Sequence, residues 1–514
     1  MSLNFCGSYK YRTRLPRFSS HGASPSPLMT SPYKIDTEKG SLEIVEDSSS
    51  GGKFATEFTP HEQAKIVRRV DLRLVTLVGL LYCVSLMDRS NLSAANIAGM
   101  NVELKLDGNK YNIISLVFFP SYIVFQPAST IIVRKIGPRI HLAGITLLWG
   151  GLMIGMGFVK NFDQMVGLRV LLGILEAGLF PSSIYLLSTW YTRYEVGKRN
   201  AFFYLIGSVA SAFAGILAYG LQQMGGLSGL NGWRWIFIIE GVLTCVLAGI
   251  GYWLLVDFPD STRKMWKFLS PSELRFICDK VEADRGDVKP VPFHVRSYLA
   301  SGLDWKIWLY AMLFLSSTTL TYSLLYFLPI ILRDSLGFNV AKAQCLVAPP
   351  YVFAALVMYI SGYVGDKYHF RGPVIVANSI LSCIGLPLIG WASAPAVRYF
   401  GVFLVTGGAS ANIPVVMSYQ ANNIRGQWKR AFCSATMVGF GGIGGIAGST
   451  VFRTQDKPNY RPGLYACLTA SLLTIVLVGI LSVAFYFENR KAERGEKELE
   501  MSEEGLPPGF RYTY

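Results

Sequence analysis

Apolar residues recur along this chain in runs of roughly twenty, the length a helix rising about 1.5 Å per residue needs to cross a hydrocarbon core about 30 Å thick. Twelve such runs are predicted as helices, with cores near residues 72–95, 112–133, 140–159, 165–190, 200–221, 233–256, 306–332, 341–365, 373–392, 398–421, 431–452 and 463–487. A polar segment of about fifty residues separates the sixth from the seventh, so the spans fall into two sets of six, the pattern of a duplicated architecture. The expected fold is an all-α polytopic membrane protein built as two six-helix bundles. Its expected parts are a disordered cytoplasmic N-tail (1–70), an N-terminal bundle (71–256), a cytoplasmic connector (257–305), a C-terminal bundle (306–487) and a cytoplasmic C-tail (488–514).

Composition agrees: of 514 residues, 51% are hydrophobic and only 16% charged, which excludes a soluble globular chain. The formal charge of +15 could suggest a nucleic-acid partner. Lys and Arg fall mainly in tails and loops, however, so membrane topology accounts for them and no nucleic acid is expected. Lys65, Arg68, Arg69 and Arg73 precede span one, while Arg490, Lys491 and Arg494 follow span twelve. Both termini are therefore assigned to the cytoplasm, with the plasma membrane as the expected location. Cys83, Cys245, Cys345, Cys383, Cys433 and Cys467 lie in apolar segments without metal-ligand spacing, and no disulfide framework, metal or cofactor is expected.

Gly167 to Trp190 is the unusual stretch, because a predominantly apolar run carries both Arg169 and Glu176. The two charges are about two turns apart on nearly one helical face. An ionisable side chain at bilayer depth costs at least about 2.5 to 3.5 kcal/mol, so it must meet a partner or a watery cavity. Asp88 and Arg89 in span one offer partners at similar depth. These four residues are expected to form the charged centre of a transport pathway, the bland alternative being static ion bridges that pin spans one and four. Tyr322 in span seven, Asn412 in span ten, and Tyr122 and Gln126 in span two are candidate lining residues, with Tyr322 preferred because a phenol offers both a ring face and a hydroxyl. Thr318, Thr319 and Thr321 are weaker candidates, since such hydroxyls usually bond their own helix.

Loop motifs narrow the class. Gly362, then Asp366 and Lys367, between spans eight and nine resemble the cytoplasmic signature of the major facilitator superfamily, in which a carboxylate and a cation latch one conformation. The equivalent first-half loop, Arg134 to Arg139, keeps the glycine and basic residues but has Arg134 where the signature has Asp. Within that superfamily the chain resembles the anion:cation symporter family and its fungal allantoate and nicotinate permease-like branch. The resemblance is carried by LMDRSNLSAANIAGM (Leu86 to Met100), the Arg169 and Glu176 spacing, KRNAFFY (Lys198 to Tyr204), GWRWIFIIEG (Gly232 to Gly241) and Asn422, Asn423, Gly426, Lys429, Arg430. One departure is Tyr419, where that branch has Trp, and a changed pocket is expected there.

The resemblance implies the major facilitator fold and proton-coupled symport of a small organic carboxylate such as a vitamin or ureide. Arg89 would face the substrate carboxylate, Asp88 and Glu176 would take up protons, and Arg169 would organise the outer end of the cavity. The implied partners are the organic anion, protons and the lipid membrane, for a monomer. The alternative is proton-antiport efflux of a drug or secondary metabolite; exporters of the superfamily commonly carry a Gly-Pro motif in span five, whereas Gly207 to Gly220 has no proline. No paired catalytic motif or sizeable soluble domain suggests an enzyme. GFGGIGGIAG (Gly439 to Gly448) superficially resembles a dinucleotide loop but lies within a span, where its glycines are expected to let helices approach closely.

Overall fold

A computed structural model describes residues 58–259, 268–286, 295–368, 370–425, 427–457, 459–496, 499 and 510–514. By contacts the chain separates into Met1–Lys65 and a body of Ile66–Tyr514. The expectation of a disordered N-tail falls mostly outside the described residues. In the described part of the first unit, the Thr59 amide and hydroxyl donate to Glu62 at 2.8 and 2.9 Å and start a helix.

Among the described residues, twelve helices are long and apolar enough to cross a membrane: Pro60–Glu103, Lys110–Ile136, Pro138–Met156, Phe162–Trp190, Phe202–Gln222, Gly232–Leu254, Trp305–Asp334, Val340–Gly365, Arg371–Trp391, Pro395–Asn423, Phe432–Val451 and Arg461–Glu493. They are called spans one to twelve. Twelve spans leave the start of span one and the end of span twelve on one face, here the tail side; the opposite face is the far side.

Sidedness of packing is what positions the site. On the far side the two halves are stitched together by backbone acceptors. Tyr111 Oη donates to Tyr326 O (2.8 Å), Asn112 Nδ2 donates to Ser449 O (2.9 Å) and Phe452 O (2.7 Å), and Arg333 Nη1 donates to Ile97 O (3.1 Å). On the tail side Tyr204 Oη of the first half donates to Met417 Sδ of the second at 3.3 Å.

Span eleven shows why the glycine run exists. A Cβ on Gly444 would stand 2.6 Å from Leu315 O and one on Gly448 2.7 Å from Thr319 O, both in span seven. On the adjoining face, a Cβ on Gly442 or Gly445 would strike Ile123 or Phe119 of span two. The run is a packing ridge that lets one helix touch both halves of the molecule.

The polar segment after span six is no separate domain among its described residues. Helix Pro271–Gly286 lies against the tail side of the first half, where Arg69 pairs with Glu273, and Lys280 Nζ lies 2.8 Å from Glu195 Oε1.

Candidate functional site

Span four is not one continuous helix. Its first part, Phe162–Glu176, ends on the glutamate, and the second, Leu179–Trp190, begins three residues later. Pro181 has no N–H to return to the Ala177 carbonyl, so the ladder lapses there. Gly173 and Gly178 allow the break to sit tightly, since a Cβ on either would lie 2.3 Å from Phe118 O or 1.9 Å from Ser129 Oγ, both in span two. Glu176 is thus fixed at the mouth of a helix discontinuity, beside span one.

Arg89 is the hub. Its Nε donates to Glu176 Oε2 at 2.8 Å, and Ser85 Oγ donates to the same oxygen at 3.0 Å. Nη1 reaches across to the second half and donates to Tyr322 Oη at 3.0 Å. The guanidinium carbon lies over the rings of Phe118 (5.0 Å) and Tyr122 (4.9 Å) of span two. With 4% of its side chain exposed, this cation is held by spans one, two, four and seven together and faces the inter-bundle space rather than lipid. Towards the tail side the space is lined by rings. Tyr82 stacks on Phe203 (4.5 Å between centroids) and meets Tyr204 (5.7 Å), while Phe180 also meets Tyr204 (5.7 Å). Tyr82, Phe180, Tyr204 and Tyr322 remain half-buried.

Asp88, although adjacent in sequence, points elsewhere, because consecutive helical residues diverge by about 100°. Its Oδ2 accepts from Trp149 Nε1 of span three (3.0 Å) and Thr244 Oγ1 of span six (3.4 Å). It does not join the Arg89–Glu176 pair. A fifth ionisable residue, not anticipated from the sequence, stands near it: Glu240 of span six, buried, accepts from Asn91 Nδ2 through one oxygen while the other has no hydrogen-bond partner among the described residues. An acid midway along span six, inside GWRWIFIIEG, was the signal. Asn91, the asparagine of an apparent glycosylation sequon, is accordingly occupied inside the bundle.

Arg169 is fully buried, and none of its three guanidinium nitrogens finds a hydrogen-bond partner among the described residues. By hydrogen bonding the four expected charges divide: Arg89 pairs with Glu176, Asp88 turns to Trp149 and Thr244 beside Glu240, and Arg169 lies further towards the far side, within electrostatic reach of Glu176 and Asp88.

The remaining candidates divide. Gln126 continues the span-two face that carries Phe119 and Ile123 towards span eleven. Asn412 donates from Nδ2 to Ser379 Oγ (3.0 Å) of span nine, inside the second half. Thr318, Thr319 and Thr321 bond carbonyls of their own helix at 2.8 to 3.0 Å. Tyr419 is not a pocket residue: it is buried beside Tyr310 (5.4 Å) and Phe485 (6.2 Å), so the departure at that position affects packing. In the proposed latch, Gly362 lies within the last turn and a half of span eight and Lys367 stands over Tyr363 (5.7 Å) and Tyr368 (5.4 Å), while the Asp366 side chain lies outside the described residues.

Twelve spans in two packed halves, with a buried cation held between them and a seal on one side, define a membrane transporter rather than an enzyme. Residues 78–449 match the Major Facilitator Superfamily, and the chain belongs to that family. Over 503 residues it is 32% identical to the MFS-type transporter cnsO of Penicillium expansum, covering 94% of this chain and 95% of that one. It is 27% identical to the high-affinity nicotinic acid transporter of Saccharomyces cerevisiae (92% and 89% covered) and 27% identical to the major facilitator-type transporter hxnP of Emericella nidulans (93% and 98%). A bacterial homolog of the human lysosomal transporter Spinster, solved in an inward-facing and occupied conformation, shares the fold with a TM-score of 0.58 at 12% identity, over 86% of this chain and 99% of that one.

Proposed function

We propose that this transporter is a proton-coupled symporter of a small organic carboxylate, of the anion:cation symporter type and its fungal allantoate and nicotinate permease-like branch. The observation that carries the reading is the placement of Arg89: one desolvated guanidinium shared between a carboxylate of its own half, Glu176 (2.8 Å), and a phenol of the other, Tyr322 (3.0 Å). A substrate carboxylate and Glu176 compete for that cation. Protonation of Glu176 ends the competition, so proton and anion load together, and a carboxylate seated on Arg89 beside Tyr322 bridges the halves that must rock.

The rings of Phe118, Tyr122, Tyr82 and Tyr322 supply apolar faces for the body of the substrate. They suit an aromatic acid, and one relative is named for nicotinic acid. Arg169, buried without a hydrogen-bond partner, supplies positive potential at the far end of the chamber. Asp88, with Glu240 beside it, relays the same proton to and from the site through spans three and six. Gly362, Asp366 and Lys367 serve as the conformational latch of the second half, and Gln126 lines the chamber wall. The working unit is a monomer in the plasma membrane with the tail side cytoplasmic.

Radiolabelled uptake into proteoliposomes, with a panel of carboxylates and an imposed acid-outside gradient, tests the proposal. Accumulation of one acid that collapses with the gradient is the expected outcome. Accumulation driven only by an acid-inside gradient would instead establish proton-antiport efflux.

A further inference from the structure

After span twelve, the segment Phe510–Tyr514 packs, outside any helix or turn, against the tail side of the second half. Tyr512 is 3% exposed, its ring stacked on Phe485 with centroids 4.4 Å apart and planes at 9°. Its hydroxyl accepts from Lys306 Nζ of span seven. Arg511, one residue earlier, is exposed.

The backbone is read as well. Asn489 of span twelve donates from Nδ2 to Tyr512 O (2.9 Å) and accepts the Tyr512 amide on Oδ1 (2.9 Å). Asn423 of span ten does the same one residue on, donating to Thr513 O (3.0 Å) and accepting the Thr513 amide (2.7 Å). In an extended chain the N–H and C=O of one residue point to one side and those of the next to the other. Two asparagines on different helices meet those successive residues from opposite sides, each imitating a neighbouring strand. The Arg371 amide at the start of span nine donates to Tyr514 O (2.8 Å), and Arg425 covers the Phe510 ring at 4.6 Å.

We propose that the tail-side end of the second bundle is a groove for an extended aromatic peptide, that Phe510–Tyr514 is its intramolecular ligand, and that the docked segment staples spans seven, nine, ten and twelve so that they move as one body. The named partners all belong to the second half, so the staple stiffens one rocking unit rather than locking the two units together. Asn423 enters the sequence resemblance without a role; here it holds the chain's own tail.

Hydrogen–deuterium exchange of the intact protein in lipid nanodiscs is the test. The Tyr512 and Thr513 amides are expected to exchange at least roughly tenfold more slowly than in a free Phe-Arg-Tyr-Thr-Tyr peptide, given paired side-chain bonds to each residue and a buried ring. Asn423→Ala with Asn489→Ala should remove that protection and speed exchange at the tail-side ends of spans seven, nine, ten and twelve while leaving their far-side ends unchanged. In a chain lacking residues 510–514, the added peptide should restore protection, and the same peptide with Ala at its first Tyr should not. Free-peptide exchange rates at Tyr512 and Thr513 in the intact chain overturn the proposal, a reading that stands whether or not the variants fold. Failure of the peptide to restore protection to a folded truncated chain overturns it too.

Discussion

Replacing Glu176 with Gln isolates the coupling step. The glutamine oxygen can still accept from Arg89 Nε and Ser85 Oγ, which now meet Oε2 at 2.8 and 3.0 Å. The amide nitrogen would take the place of Oε1, which has no hydrogen-bond partner, so the hub keeps its shape and loses a charge and a titratable proton. A proton moving down one pH unit releases about 1.4 kcal/mol, so one coupled proton supports roughly tenfold accumulation per unit, or about a hundredfold across two. A proton and a monovalent anion moving together carry no net charge, and membrane potential adds nothing. In Glu176→Gln, with the potential clamped at zero, the accumulation ratio should fall to about one. Counterflow should persist, because anion binding needs Arg89 rather than a proton. Substrate should also bind more tightly by roughly tenfold or more, since a charge-assisted bond of about 1.5 to 3 kcal/mol no longer competes. The assay is labelled uptake and counterflow on one set of proteoliposomes. A glutamine variant that accumulates substrate as the unmodified protein does would show that Glu176 does not carry the coupled proton.

Arg89→Ala should abolish uptake and counterflow together, whereas Tyr322→Phe, losing one bond to Arg89 worth about 1 kcal/mol, should weaken substrate affinity roughly fivefold with little effect on folding; affinities from counterflow decide both. Gly444→Ala would place a Cβ 2.1 Å from Thr318 Oγ1 and 2.6 Å from Leu315 O, so spans seven and eleven must part, destabilising by about 1 to 3 kcal/mol; an unchanged thermal midpoint would contradict the packing. At the connector, burial pushes the carboxyls of Glu195 and Glu273 up, but Lys280 with Thr192, and Ser270 with Arg69, bring both below their ordinary value. Lowered carboxyls stabilise above about pH 4.3 and lose that contribution as pH falls through their lowered values. Helix Pro271–Gly286 should therefore become protease-sensitive on acidification, and Glu195→Gln with Glu273→Gln should make it so already at neutral pH.

Span count, the division into two halves and the singularity of Arg169 and Glu176 were legible in one dimension, because bilayer thickness and the cost of buried charge act on each helix separately. The break in span four went unread, since the hydropathy pattern predicts 165–190 as one continuous helix, although Pro181 shortly after Gly178 carried the signal. Partner choice was not legible. Asp88 and Arg89 are neighbours in sequence, yet one turns to Trp149 and Thr244 and the other to Glu176 and Tyr322, because which face of span one meets which helix depends on packing from both halves. Glu240 went unread, and the Ser379 partner of Asn412 was not foreseen, for the same reason: an isolated polar residue within a span announces that it needs a partner without saying where the partner is. The fate of Tyr512 is the extreme case, since nothing local joins Phe510–Tyr514 to Asn423 and Asn489. Periodicity and hydropathy report what a residue requires of its solvent, whereas the rotation and docking of twelve helices decide which side chains answer that requirement.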